Sequence, residues 1–224
     1  AATTALDPSV GLSGEAVTQW YVSSEGHSLR HGTTRFRMGV TADAIAPDGD
    51  HIQLFEAIDT ASLDSLPDAA AMLAAASTLE KRLVALRAAP REEPYSGPAI
   101  LSGRAAAVFF HEIFGHRVEG SRLKQIDSGQ TFLNKVGESI LPPFLSVHDD
   151  PTIPQVNGID LRGAYSYDNE GVKTSRVTLV DKGVLEGFLE SRSPSAEGKV
   201  SNAHGRRQAG RAVVARQGNL VVTA

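Results

Sequence analysis

The sequence predicts an α+β protein of antiparallel sheets with two main helices, the second carrying an HExxxH string. Three observations predict it. Short apolar and polar positions alternate between Val17 and Ile58. The apolar period then lengthens to three and four residues over Leu66 to Leu86, with a second helix read over Gly103 to Val118. A β-rich hairpin pattern occupies Ser175 to Ser191.

The first stretch reads TQWYVSS, RFRMGVTADA and HIQLFEAID, with the turn signals SSEG and PDGD between the runs, as a small antiparallel sheet does. Next, Met72, Leu73, Ala76, Leu79, Leu83, Val84 and Leu86 form one helical stripe, with Asp64, Ser65 and Pro67 as start signals. The segment APREEPYSGP holds three prolines and a glycine, cannot continue a helix, and reads as a connector with a boundary near residue 95. Two domains are therefore expected, 1–95 and 96–224. In the second, AIL reads as a short strand and Gly103 to Val118 as a helix. LPPFLSVHDDPTIPQVNG is too rich in proline for more than brief edge strands. SRVTLVDKGVLEGFLES then reads as two strands joined at Asp181-Lys182-Gly183, where glycine takes the positive φ of a tight turn. NLVVT is a last strand.

Bulk properties bound the chemistry. A chain of 224 residues, 41% hydrophobic, can bury a sizeable core. It contains no run of about 18 apolar residues, and its start, AATTALDPSV, lacks the basic and apolar parts of a secretory signal, so a soluble, cytoplasmic protein without membrane insertion is expected. The absence of cysteine excludes disulfides and leaves His, Asp and Glu to hold any metal. From Ser191 onward, Arg192, Lys199, Arg206, Arg207, Arg211 and Arg216 face one acid, Glu197; a tail of +5 stands against a net charge of −4 for the whole chain. Such a tail attracts phosphates or carboxylates, or is simply a solvated face. An acidic chain without a recognisable nucleic-acid motif makes nucleic acid an improbable partner.

The chemistry concentrates in VFFHEIFGHRVEG, residues 108–120. Two imidazoles suit zinc, and a neighbouring carboxylate suits a general base. The spacing is awkward. Histidines four apart on an α-helix lie about 40° apart around its axis, but five apart, as His111 and His116 are, they lie about 140° apart. A straight helix would not aim both at one ion. A π-bulge would absorb the extra residue, and Gly115 makes local distortion or the close approach of another segment inexpensive. A helix wide or bent near Gly115 is expected; the alternative is two ordinary, partly buried histidines.

HEIFGHRVEG resembles the HExxxH region of the TldD/PmbA family of metalloproteases, once called modulators of DNA gyrase, whose motif runs close to HEAxGHxxEG. The resemblance continues through VHDDPTIP, YDNEGVKTSRVTLVDKGVLEGFLES, AHGRRQ and ARQGN, and upstream through VSSEG, TADAIAPDGD and the alanine-rich helix. It implies a TldD/PmbA-like fold. Residues 1–95 would be the later part of an N-terminal α/β domain, and 96–224 the start of a mainly-β metallopeptidase domain, truncated. It implies His111 and His116 as zinc ligands and Glu112 as catalytic base. In well-known members the third ligand is a cysteine near the end of a longer chain, so this chain reads as a fragment or uses another group. The implied activity is zinc-dependent hydrolysis of unfolded or extended peptides, by a homo- or heterodimer with a family member. The alternative is a non-catalytic partner subunit or binding module.

Other polar residues have two readings. Glu119 is the best local third ligand or a salt-bridging carboxylate. His148, Asp149 and Asp150 read as surface groups or supports of a metal ligand. His204 beside Arg206 and Arg207 suggests a basic patch for a substrate carboxylate. DNEG, residues 168–171, reads as a turn and not half of a calcium loop, and Gly103 as a tight entry to its helix or a donor of free backbone N–H groups.

Overall fold

Residues 6–125, 130–193, 195–196 and 199–224 are described by a computed structural model. The first alternating region forms three strands, β1 (Leu6–Val22), β2 (Ser28–Ile45) and β3 (His51–Thr60), in the order β1-β2-β3. β2 and β3 run antiparallel, with register from Phe36 opposite Thr60 to Ile45 opposite His51. Helix α1 (Ala69–Ala88) follows. The Asp68 carboxylate accepts a bond from Ala71 N at 2.8 Å, which satisfies one of the free donors of its first turn. Alternate residues of β2, Val40, Ala42 and Ala44, meet Leu79 and Leu83 one helical turn apart, with Ile52, Leu54, Met72 and Ala76 around them. Burying each of these leucines contributes about 1.5–3 kcal/mol.

Packing divides the chain into two units. The first joins the residues up to Val17 with Gly32–Pro98; the second joins Thr18–His31, the tip of the β1–β2 hairpin, with Ala99–Ala224. No helix among the described residues is long and apolar enough to cross a membrane.

The second unit is built on a sheet ordered β11-β4-β7-β8, formed by β4 (Ser146–Asp149), β7 (Val177–Asp181), β8 (Val184–Leu185) and β11 (Leu220–Thr223). β4 pairs antiparallel with both β11 and β7, with a bulge between Val147 and His148. It is an interior strand, not the edge strand expected from its proline-rich surroundings. The prolines, at 142, 143, 151 and 154, flank the strand and remove no ladder donor from it. β7 and β8 turn at Lys182 (φ 46°) and Gly183 (φ 85°); a Cβ at Gly183 would lie 2.3 Å from Leu141 O. Glycine is thus required there twice over, by backbone conformation and by space. Two short ribbons pair β5 (Gln155–Val156) with β6 (Ile159–Asp160) and β9 (Gly205–Arg206) with β10 (Val214–Ala215).

Two expectations for residues 99–118 need correction. AIL is not a strand; Ile100 is fully exposed and nothing pairs the segment into a ladder. The helix does not reach Val118. α2 spans Gly103–Ile113, and after Phe114 (φ −115°, ψ −57°) the chain tightens into a 3-10 turn, Gly115–Val118. The core sets that break. Phe114 and Val118 are both buried among Leu123, Val147, Leu179, Val180, Leu185, Phe188, Leu189 and Ala215, with Phe110 packed against the same cluster.

The two faces of α1 make the packing testable. Leu83→Ala is expected to lower the unfolding free energy by about 2–5 kcal/mol in denaturant titration. Val84→Ala, at a position 45% exposed on the same helix, is expected to change it by less than about 0.5 kcal/mol.

Candidate metal centre

The helix break decides where the two histidines point. α2 delivers His111 and Glu112 from its last turn, and the 3-10 turn delivers His116. No π-bulge is needed; the helix ends, and the new direction of the chain brings the imidazoles together. Their ring centres lie 4.6 Å apart at an interplanar angle of 72°. Ligand atoms of His111, Glu112 and His116 all lie within 4.8 Å of one another. Glu112 reaches 3.9 Å from His111 Nε2 and 3.8 Å from His116 Nε2. The structure thus brings these three residues together as one group.

The Gly115 expectation has a concrete form. A Cβ at Gly115 would sit 2.1 Å from Gln217 Oε1, so the Gln217 side chain occupies the space that any other residue would fill. Gln217 Nε2 lies 3.5 Å from His116 Nδ1, and its buried Oε1 has no hydrogen-bond partner. Close approach, not helix widening, is what the glycine permits.

Exposure differs sharply across the motif. The Glu112 side chain is 61% exposed and that of His111 49%, whereas His116 is 24% exposed and Glu119 only 2%. Glu119 does not join the three-residue group. Its Oε1 lies 3.1 Å from His116 Nδ1, its Oε2 accepts from Arg122 Nε at 2.7 Å, and Arg216 Nη1 approaches Oε2 at 3.4 Å. Of its two readings, the salt-bridging carboxylate is the one observed.

The chemistry of the group fits a divalent metal. Two imidazoles and a carboxylate are borderline and hard donors of the kind that zinc accepts, at an open surface that leaves room for a water or a substrate oxygen.

Other expected polar sites are placed differently. His204 is no part of a basic patch; it is completely buried, with Nε2 3.0 Å from Asp149 Oδ1 and Nδ1 2.9 Å from Asn202 O. Asp149 is equally buried and accepts from Gly218 N at 3.0 Å. His148 and Asp150 are buried too, not on the surface. Burial, and then the Arg176 guanidinium, lower the His148 pKa, and Arg176 Nη2 stands 3.2 Å from its Nδ1. The tail cations separate. Arg192 pairs with Glu25, Arg206 lies 3.9 Å over the Tyr165 ring, and Arg216 turns to Glu119. Burial raises the Tyr165 phenol, whose hydroxyl donates to Ala203 O at 3.0 Å. DNEG is a turn. Asp168 Oδ1 accepts from Glu170 N and Val172 N, both at 2.9 Å, and Gly171 takes φ 80°. Sequence reasoning misses Arg216 and Gln217 as neighbours of the site: Arg216 reads only as a tail cation, and Gln217 only as part of the family string ARQGN.

Comparisons with known proteins place the chain in a family. Residues 94–224 match the family model described as the PmbA/TldA metallopeptidase C-terminal domain. A metalloprotease of Methanothermobacter thermautotrophicus is 32% identical over 184 residues, covering 77% of this chain and 36% of that protein. A protein named metalloprotease TldD homolog from Haemophilus influenzae is 30% identical over 112 residues, 50% of this chain and 22% of its own length. The chain thus spans well under half the length of these relatives. The crystal structure of TldE from Thermococcus kodakarensis superposes with a TM-score of 0.67 at 19% identity, over 96% of this chain and 46% of that one. With the family model matching more than half of the sequence, the chain belongs to the PmbA/TldD metallopeptidase family.

Proposed function

We propose that this chain carries the zinc-binding and proton-transfer residues of a peptidase, with His111 and His116 as metal ligands and Glu112 as general base. The observation that carries the proposal is the convergence of the three side chains to within 4.8 Å at the end of α2, with Glu112 the most exposed of them. Zinc, when bound, would polarise a carbonyl oxygen and lower the pKa of water. The residues of the chain supply the rest. His111 and His116, arriving from either side of the helix break, fix the direction from which two imidazole nitrogens face one point. Glu112 Oε2, beside His116 Nε2, takes the proton from a water attacking a peptide carbonyl and returns it to the departing amine. Its exposure lets it reach substrate without rearrangement of the fold.

Unfolded or extended peptides are the proposed substrates, the cytoplasm the proposed setting, and a homo- or heterodimer with a family member the proposed assembly; all three rest on the family resemblance. One structural feature favours peptides. α2 leaves Val108, Phe109 and Ile113 exposed within a turn of the motif, apolar surface beside the candidate centre that can hold peptide side chains. The alternative, a non-catalytic partner subunit, has less support, because such a subunit would have no use for an exposed carboxylate between two convergent imidazoles.

Two measurements test the proposal. Glu112→Gln is expected to keep its bound zinc, read by elemental analysis, and to lose about 10²–10⁴-fold in hydrolysis of a fluorogenic peptide; undiminished turnover would overturn the assignment of the base. His111→Ala and His116→Ala are each expected to abolish stoichiometric zinc. Full metal content in either variant would remove that histidine from the ligand set.

A further inference from the structure

We infer that Glu119 is a positioning residue of the centre: its buried carboxylate holds His116 as the Nδ1–H tautomer and leaves Nε2, the nitrogen facing Glu112, bare for a metal ion. The inference deepens the proposed function and rests on its reading of His116 as a ligand.

The backbone places Glu119 for this role. The chain leaves the 3-10 turn at Glu119 in an extended conformation (φ −75°, ψ 104°) and forms a parallel bridge with Leu189. Leu189 N donates to Val118 O and Gly120 N donates to Leu189 O, both at 2.8 Å, so the backbone is pinned on either side of the residue. A Cβ at Gly120 would meet Leu189 O at 2.7 Å, so this approach is open only to glycine. The side chain is therefore fixed at the floor of the motif, three residues beyond His116.

Its surroundings make a buried negative charge tolerable. Arg122, from the following turn, and Arg216, from a segment far away in sequence, both direct guanidinium groups at it. A carboxylate with two such partners does not suffer the desolvation cost of an unpaired buried charge. Arg122 Nε donates to Oε2, Arg216 Nη1 lies 3.5 Å from Oε1 and 3.4 Å from Oε2, and Oε1 is the atom nearest His116 Nδ1, at 3.1 Å.

The position of one hydrogen decides the consequence. His116 Nδ1 also has two donors near it, Arg122 Nη2 at 3.2 Å and Gln217 Nε2 at 3.5 Å. A ring nitrogen has one in-plane site and either donates or accepts there. If Nδ1 accepted from Arg122, its lone pair would face carboxylate oxygen Oε1 at 3.1 Å, and that oxygen, almost fully buried, could not turn to water. If Nδ1 donates to Oε1, the bond is charge-assisted, and Arg122, whose side chain is 30% exposed, directs Nη2 to solvent. The second arrangement exchanges a lone-pair clash with a buried, fixed oxygen for a donor–donor contact at 3.2 Å that the partly exposed Arg122 side chain can relieve by a small rotation. It also places the lone pair on Nε2, the orientation that a carboxylate behind a metal-binding histidine imposes.

The test uses the full chain and two readouts. Long-range 15N–1H correlation spectra record which nitrogen of His116 carries the proton, with no metal required. A bare Nε2 and a protonated Nδ1 are expected, with that preference lost in Glu119→Ala. A ring protonated at Nε2 in the unaltered protein, the state in which Arg122 donates to Nδ1, would overturn the inference. Zinc affinity, by competition with a chromophoric chelator, is expected to fall about 10–100-fold in Glu119→Ala; unchanged affinity in the folded variant would also overturn it. Should the alanine variant fail to fold, Glu119→Gln keeps the volume and is expected to weaken zinc binding relative to the unaltered protein, equal binding counting against the inference. An unaltered protein that binds no zinc would instead sink the proposed function, while the tautomer in its spectra still decides the role of Glu119.

Discussion

The seating of Phe114 and Val118 in the core of the second unit is the constraint on which the site depends. These residues, four apart, are buried in one cluster with Leu179, Val180 and Leu189, and between them the chain must carry Gly115 past the Gln217 side chain. A regular helix continued through that point would keep His111 and His116 on well-separated faces. Fixing Phe114 in a non-ideal conformation and restarting as a 3-10 turn lets the same five-residue spacing bring the imidazoles edge to face. Burial of about two large side chains, worth several kcal/mol together, is thus what holds in place a local geometry that helix propensity alone would not select.

The segment that approaches Gly115 is itself anchored by a buried polar pair. Asp149 on β4 lies 3.0 Å from His204 Nε2, and Asn202 O and Asn202 Oδ1 lie 2.9 and 3.1 Å from His204 Nδ1. Asn202 Oδ1 is assigned as the acceptor, because Asn202 Nδ2 donates to Phe188 O and Oδ1 takes Glu190 N. Asp149 also holds Gly218 N, and His204 O accepts from Arg216 N. The residues on either side of Gln217 are therefore tied to the pair, one through backbone and one through a carboxylate. A residue that first reads as a surface ligand for substrate instead fixes the chain beside the metal motif. Each polar atom of the pair has a partner within hydrogen-bond distance, which limits the cost that makes half-satisfied buried networks unfavourable.

The parts of this fold legible in the sequence are those governed by local rules. Alternation predicts three strands but not their full length, since β1 begins at Leu6 and β2 at Ser28, while the three-and-four stripe predicts α1 and Lys182-Gly183 the hairpin turn to within a few residues. Local rules also misled. Prolines around residues 146–149 suggest an edge strand because composition does not reveal whether a proline lies within a ladder or beside it, and a helix read over Gly103 to Val118 overruns Phe114 because a backbone break set by packing leaves no local mark. The His-Glu-His group was legible as a motif. Its surroundings were not, since Arg216 and Gln217 lie about a hundred residues from His116 and reach it only through the pairing of β4 with β11 and the burial of Asp149 and His204.

The motif contains two glutamates of opposite environment, and under the proposed function this contrast would let one string both bind a metal and transfer protons. A group that exchanges protons with water and substrate must be reached by both, and Glu112 is exposed. A group that fixes an imidazole must not be drawn away by solvent, and Glu119 is buried under two guanidinium groups. Exchanging the environments would defeat both roles, because a solvated carboxylate at 119 would lose its hold on one ring nitrogen to competing water, and a buried carboxylate at 112 would have no path to a peptide. Spacing of seven residues across a helix end separates them by more than rotation; it leaves one exposed and buries the other beside Leu189, Arg122 and Arg216. The helix break that unites the histidines thereby also divides the carboxylates.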